Sequence, residues 1–453
     1  MIKVFLKKIL RYKNISFVFL VSFSLSVYSE EDIKFSDRIE SYLLPNKLKV
    51  ILLEDKRNPI VISSLWYKVG SSYETKGVTG ISHILEHMMF KGTEKVKSGK
   101  FSEIIKNLGG TDNAFTGRDF TGYYQKVHKA HLEECLRMES DRMTNLILKE
   151  TDFVKERKVV QEERRLRVED RPISKAFEKT LLQAFGYHGY GIPIIGTMDD
   201  IENIKLNDLR SWYKNYYSPK NATLIIAGDF ERSEAKELIN KYFGIIENNN
   251  SIPLNKETES HIIDFKDIIL RDSVSNPTVL ISFIQPKFNY NDRLKHYKMD
   301  LLLELIDGGS SSRLTKNLVD KKKVALETFI SSDSYPIEES IVAFGGIPRD
   351  GVSVEKFRDE IFLQFKEIVK NGITDKEFNS LKSRLTSNNI YKLDSLFGQM
   401  MQIGILESKK IGWEILDTYL QDINQITKQD LVDTAKENLI DKEFIFTVIH
   451  PNR

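Results

Sequence analysis

One cysteine in 453 residues, Cys135, leaves no partner for an intramolecular disulfide. The folded chain must be stable through core burial, even in a compartment that permits disulfides. With 41% apolar residues and a mature length of about 420, there is material for two domains of ordinary size. Charge of one sign is also lacking, since 67 Lys and Arg stand against 65 Asp and Glu, a net +2. That balance indicates neither nucleic acid nor an anionic membrane surface as a partner. A cluster such as Lys321-Lys322-Lys323 reads as a solvated face. No glycine-rich dinucleotide fingerprint occurs either, so the interleaved strands and long helices indicate α+β layers, with helices on a sheet.

The first residues read as a leader. Lys3, Lys7, Lys8, Arg11 and Lys13 make a basic start, Ile15 to Val27 is apolar, and Val27-Tyr28-Ser29 precedes the acidic Glu30-Glu31-Asp32. The apolar run is too short and too broken by serine for a membrane span. Its order predicts a secretory signal over residues 1–29, cleaved near Ser29, with an uncleaved anchor as the alternative. In a bacterium the mature protein would be periplasmic.

Histidine is scarce, with 8 in the chain, yet two of them flank a glutamate in Gly80-Ile81-Ser82-His83-Ile84-Leu85-Glu86-His87-Met88-Met89-Phe90. On a helix, His83, Glu86 and His87 share a face, while Ile84, Leu85 and Met88 turn to a core. Two imidazoles four apart can grip one metal ion, and neutral imidazole suits zinc. The carboxylate between them can take a proton from a water on that metal. This His-x-x-Glu-His order inverts the commoner His-Glu-x-x-His. A catalytic zinc site needs a third protein ligand. The segment Glu156-Arg157-Lys158-Val159-Val160-Gln161-Glu162-Glu163-Arg164 is acid-rich, and Glu156 and Glu163, seven apart, share a helical face. Spacing leaves the choice between them open.

His83 to His87, followed by a glutamate 76 residues beyond His87, resembles the zinc signature of the pitrilysin or insulinase family, which includes insulin-degrading enzyme and the mitochondrial processing peptidases. Gly109-Gly110-Thr111-Asp112-Asn113-Ala114-Phe115-Thr116 resembles that family's substrate-binding edge strand, and Tyr190 to Thr197 another family stretch. The resemblance covers nearly all of the chain after the leader. It implies two similar α+β domains facing each other across a cleft, with one zinc per chain held by His83, His87 and Glu163. It further implies Glu86 as general base, Glu156 as a carboxylate beside the site that orients ligands, and Asn113, Ala114 and Phe115 as the strand that binds an extended peptide by main-chain hydrogen bonds. The activity implied is zinc-dependent endopeptidase action on short or unfolded peptides. The alternatives are a non-catalytic assembly subunit, whose examples usually lack the zinc motif kept here, and a zinc hydrolase of non-peptide substrates.

The local patterns predict strands over Leu48–Leu53, Ile60–Val69, Thr121–Val127 and Ala222–Ala227. They predict helices over Ala130–Leu146, Asp152 to about Glu169, and Leu206–Tyr216, with Thr79 capping the histidine helix. Asn248-Asn249-Asn250-Ser251-Ile252-Pro253 is polar and ends in proline, as a linker does. Beyond it the organisation repeats: Ile204 and Asp208 recur as Ile426 and Asp430, both offset by 222, each pair before a helix and then a strand. The expected division is a zinc-bearing domain over 30–247, a linker over 248–258, and a homologous domain without metal ligands over 259–453.

The second half departs from the family in one place. Peptide-cutting members read Ser-Arg-Leu-x-x-x-Leu-Arg-Glu-x-x-Gly-Leu-x-Tyr there, and the second arginine and the tyrosine grip substrate near the metal. Here Arg313 matches the first arginine, while Val319 and Leu326 stand at the gripping positions. The resemblance therefore implies a heterodimer in which a homologous second subunit supplies the arginine and tyrosine, or else a homodimer.

Overall fold

A computed structural model describes residues 35–248 and 263–452. The 1–29 leader and all but residue 248 of the expected linker lie outside the described residues.

The first half runs β1 (Ile39–Leu43), β2 (Lys49–Glu54), β3 (Ile60–Tyr67), α1 (Ile81–Met88), α2 (Lys100–Asn107), β4 (Thr111–Thr116), β5 (Thr121–His128), α3 (Leu132–Asn145), α4 (Glu150–Arg164), α5 (Pro172–Phe185), α6 (Met198–Asn203), α7 (Leu206–Tyr216), β6 (Ala222–Gly228) and α8 (Arg232–Phe243). The second runs β7 (Ile268–Asp272), β8 (Thr278–Gln285), α9 (Arg293–Asp307), β9 (Ala325–Ser331), β10 (Ser340–Pro348), α10 (Val354–Asn371), α11 (Asp375–Asp394), α12 (Leu396–Ser408), α13 (Ile415–Gln425), α14 (Lys428–Leu439) and β11 (Ile445–Pro451). The strand orders are β1-β2-β6-β3-β5-β4 and β7-β11-β8-β10-β9. With β1 set aside the two sheets have the same order and the same pairing sense: β2 runs parallel to β6 as β7 does to β11, and the other pairs are antiparallel. The repeat expected from Ile204 and Ile426 is therefore a repeat of topology. It extends to α7 and α14, whose entries are closed by Asp208 accepting from Lys205 N at 2.8 Å and Asp430 accepting from Thr427 N at 2.8 Å.

Central strands such as β6, in which every residue is buried, carry apolar side chains on both faces because each face is covered. The covering helices cross between halves. α5, from the first half, lays Ala176, Ala184 and Phe185 on the second sheet among Leu280, Ile341, Ala343 and Ile449. α12, from the second half, lies on β3 and β6 of the first sheet. There Gly404 is needed, since a Cβ would come within 2.1 Å of the Trp66 indole. Further ties run the same way, from Lys175 to Asp272 at 2.6 Å and from Lys49 to Glu407 at 2.6 Å. The linker position thus separates two sheets, but each sheet is completed by a helix from beyond it.

The helix expected to reach about Glu169 does so, as α4 to Arg164 followed by one π-helical turn, Arg165–Glu169. One local expectation is corrected. Thr79 does not cap α1, because the N-cap is Gly80, with φ 92° and no side-chain cap of its own. Thr79 instead donates its hydroxyl to Asp200 at 2.5 Å, while its Oγ1 accepts from Thr197 N at 3.0 Å.

Candidate metal centre

α1 is buried on most of its circumference because it is packed against α4, α7 and β4. Ile81, Ile84, Leu85 and Met88 are all buried. Its buried N-terminus needs partners for the free backbone N–H groups of a first turn. They come from Glu74, whose carboxylate accepts from Gly80 N at 2.6 Å and Ser82 N at 2.8 Å. Glu74 is itself buried, and burial pushes its carboxyl up to about 8 against the pull of those two N–H groups. The close approach that seats this end requires Gly80, whose Cβ would meet Ile195 O at 2.3 Å. This is where the Tyr190–Thr197 stretch acts, as a backbone shelf against Thr79 and Gly80.

From α1, His83 and His87 project toward α4 with ring centroids 4.9 Å apart. Glu163 on α4 meets both: its Oε1 is 3.7 Å from His83 Nε2, and its Oε2 is 3.3 Å from His87 Nε2. One ligand atom from each of the three falls within 4.8 Å of the others, and among the described residues this is the group of metal-ligating side chains so arranged. Glu156, two turns earlier on α4, takes the other side of His87, with Oε2 3.3 Å from Nδ1, and its Oε1 is held by Lys91 at 2.6 Å. Glu163 thus stands between the two imidazoles, whereas Glu156 reaches one imidazole from behind.

The electrostatics suit a dication. Burial and the neighbouring His87 draw His83 down to about 4, leaving a neutral imidazole. The His87 hydrogen bond holds the Glu163 carboxyl below its ordinary value, with His83 and Arg167 adding to it; Arg167 lies 2.8 Å away. Burial works against protonation of His87, but Glu163, Glu86 and Glu156 outweigh it and raise its pKa. Two imidazoles and a carboxylate, in a pocket where carboxylates favour a positive charge, fit zinc as a donor set. Glu86 lies half-buried beside this group, its pKa raised by burial, and its Oε2 accepts the Thr116 hydroxyl at 2.5 Å.

β4, which bears Asn113, Ala114 and Phe115, is the outer strand of its sheet and, among the described residues, pairs only with β5. Its end, Thr116, touches Glu86. Asn113 is exposed, Ala114 is partly buried, and the Phe115 ring packs edge-on to Trp66 at 4.9 Å. Phe115 therefore has its main chain, not its ring, to offer an added strand. In the second half, Arg313 forks onto Glu377 at 3.1 and 3.2 Å and bonds Gly372 O at 2.9 Å. It holds the fold together there. Val319 is partly buried against the core and Leu326 is 46% exposed on the outer strand β9, so neither presents a hydrogen-bonding group. Glu74 and Thr116 were not singled out by spacing. An acid shortly before a helix start is the one signal that could have found Glu74.

Comparison with known proteins gives a consistent set of likenesses. A family described as insulinase (peptidase family M16) matches residues 49–198, and one described as peptidase M16 inactive domain matches residues 203–385. The chain is 33% identical over 438 residues to a zinc protease, PqqE, of Helicobacter pylori, covering 94% of this chain and 96% of that protein. It superposes on the crystal structure of a protease from Helicobacter pylori with a TM-score of 0.85 at 30% identity, covering 91% of this chain and 99% of that one. The periplasmic protease PqqL from Escherichia coli shares the fold at a TM-score of 0.75 and 18% identity; 92% of this chain is covered but only 48% of that one.

Proposed function

The chain belongs to the insulinase (M16) family of peptidases, of which it is a half-length member, and on that premise we propose that it is a zinc-dependent endopeptidase acting on short or unfolded peptides. The observation that carries this reading is the meeting of His83, His87 and Glu163 within 4.8 Å, with Glu86 alongside. A bound zinc supplies Lewis acidity, enough to make water a nucleophile near pH 7. The chain's own residues do the rest. His83, His87 and Glu163 hold the ion, and Glu156 fixes the His87 ring through Nδ1 so that Nε2 points inward. Glu86, with Oε2 engaged by Thr116, takes the proton of the attacking water at Oε1 and passes it to the leaving amine nitrogen. The open edge of β4 gives an extended peptide main-chain partners with little demand on its sequence, through Asn113, Ala114 and Phe115.

The half-length chain, with Val319 and Leu326 where substrate-gripping arginine and tyrosine are expected, supports a heterodimer in which a homologous subunit supplies those groups; a homodimer is the competing arrangement. Residues 1–29 support export and cleavage near Ser29. The test of the activity is zinc content set beside cleavage of an unfolded peptide, before and after Glu86→Gln.

A further inference from the structure

Glu86 has three side-chain torsions and needs one orientation. The hydroxyl that restrains it belongs to Thr116, the last residue of β4, which donates to Glu86 Oε2 at 2.5 Å. Being β-branched, threonine has few χ1 states, so its hydroxyl is aimed once the backbone is fixed.

That backbone is fixed unusually well for the end of an edge strand. Thr116 pairs with Thr121 across a tight turn in which Gly117 N donates to Phe120 O at 2.8 Å. The carbonyls of Gly117 and Arg118 accept from Ser71 N at 3.2 Å and Ser72 N at 2.9 Å. Asp119, 1% exposed, accepts from Ser72 Oγ at 3.1 Å and from the Tyr190 hydroxyl. Asp119 also lies 3.8 Å from Lys409, which Asp333 holds at 2.9 Å. Lys409 and Asp333 belong to the second half. A run of polar contacts, buried at Lys409 and Asp119, therefore leads from the half without metal ligands to the turn that aims Thr116.

We propose that Thr116 is the positioning residue for the general base: its hydroxyl pins one carboxylate oxygen of Glu86, leaving the other to face the attacking water, and the Asp119 turn keeps that hydroxyl in place. The inference rests on the reading of Glu86 as base. It assigns Thr116 a role distinct from the main-chain binding given to Asn113, Ala114 and Phe115. Misplacing a reacting group by about 1 Å costs on the order of 100-fold in rate.

Thr116→Val removes the hydroxyl at nearly constant shape, and Thr116→Ser keeps it. The experiment uses the mature chain with whatever subunit co-purifies from its native source, and measures zinc content, kcat and KM on an unfolded peptide. Thr116→Val should lose about 10- to 100-fold in kcat with zinc content unchanged and KM within about twofold, and Thr116→Ser should restore kcat to within about threefold. Wild-type kcat in Thr116→Val overturns the proposal, as does a loss confined to KM or one that serine does not restore, since those mark a strand that only binds substrate. If the zinc-loaded wild type cuts no peptide, the peptidase reading has failed. The inference is then decided by the crystal structure of Thr116→Val: an unmoved Glu86 carboxylate contradicts it, and a swung one supports it.

Discussion

His87 Nδ1 and Glu156 Oε2 are 3.3 Å apart. With Glu163 at 3.3 Å from Nε2 on the opposite side, the ring is held between two carboxylates from one helix, spaced by two turns of α4. The roles are not symmetric, because Glu163 also approaches His83 and Glu156 approaches Lys91 instead. Glu163→Gln should remove most zinc binding, whereas Glu156→Gln should weaken it by about 10- to 100-fold, as loss of an orienting partner does. Competitive titration against a chelator measures both, and equal or reversed effects would mean the third ligand is misassigned.

Glu74 gives a pH dependence whose sign can be worked out. Burial raises its folded pKa to about 8 from 4.5, so the folded chain binds this proton more tightly than the unfolded chain does. Its contribution to stability is complete below about 4.5 and is lost as pH rises toward 8. Each such proton makes the unfolding free energy fall by about 1.4 kcal/mol per pH unit within that window. Urea unfolding of metal-free protein at several pH values from 5 to 8 should show a shallower decline in Glu74→Gln than in the wild type. Parallel declines would mean Glu74 ionises normally in the fold.

The leader predicts a mature chain beginning near Glu30, because residues 1–29 follow the basic, apolar, small-residue order of a secretory signal. Intact mass of the protein from its native host measures this. A full-length chain held in the membrane fraction contradicts it.

The centre was legible where chemistry repeats along one helix. His83, Glu86 and His87 needed only the 3.6-residue period of α1, and Ile84, Leu85 and Met88 are buried as the same period requires. Glu156 and Glu163 were a pair on one face that spacing could not separate, because the difference between them is which neighbour each meets across two helices. Glu74 and Thr116 reach α1 from a loop and a strand end, at separations that no period encodes. The topological repeat was visible in Ile204 and Ile426. The exchange of α5 and α12 was not, since an amphipathic helix records that one face is covered and not which sheet covers it. Thr79 illustrates competition: a good capping residue whose hydroxyl goes to Asp200 leaves the helix start to Glu74.

Val319 and Leu326 predict dependence on a second chain. Neither can hydrogen-bond a substrate carbonyl, and loss of such donors typically lowers rate by about 10²–10³. Purified alone, the zinc-loaded chain should turn over slowly and accelerate on mixing with a homologous subunit that carries the arginine and tyrosine. Full turnover by the isolated chain, with no partner in native pull-downs, would favour self-sufficiency.

The most direct measurement of the account as a whole compares the wild-type assembly with Glu86→Gln, by elemental analysis and by cleavage of an unfolded peptide. Glu86 adjoins His83, His87 and Glu163, the proposed ligands, without being counted among them. About one zinc per chain is expected in both proteins, with cleavage by the wild type that a chelator abolishes and no detectable cleavage by the variant. Normal turnover by Glu86→Gln, or a wild type that binds no zinc, would contradict the zinc-peptidase reading.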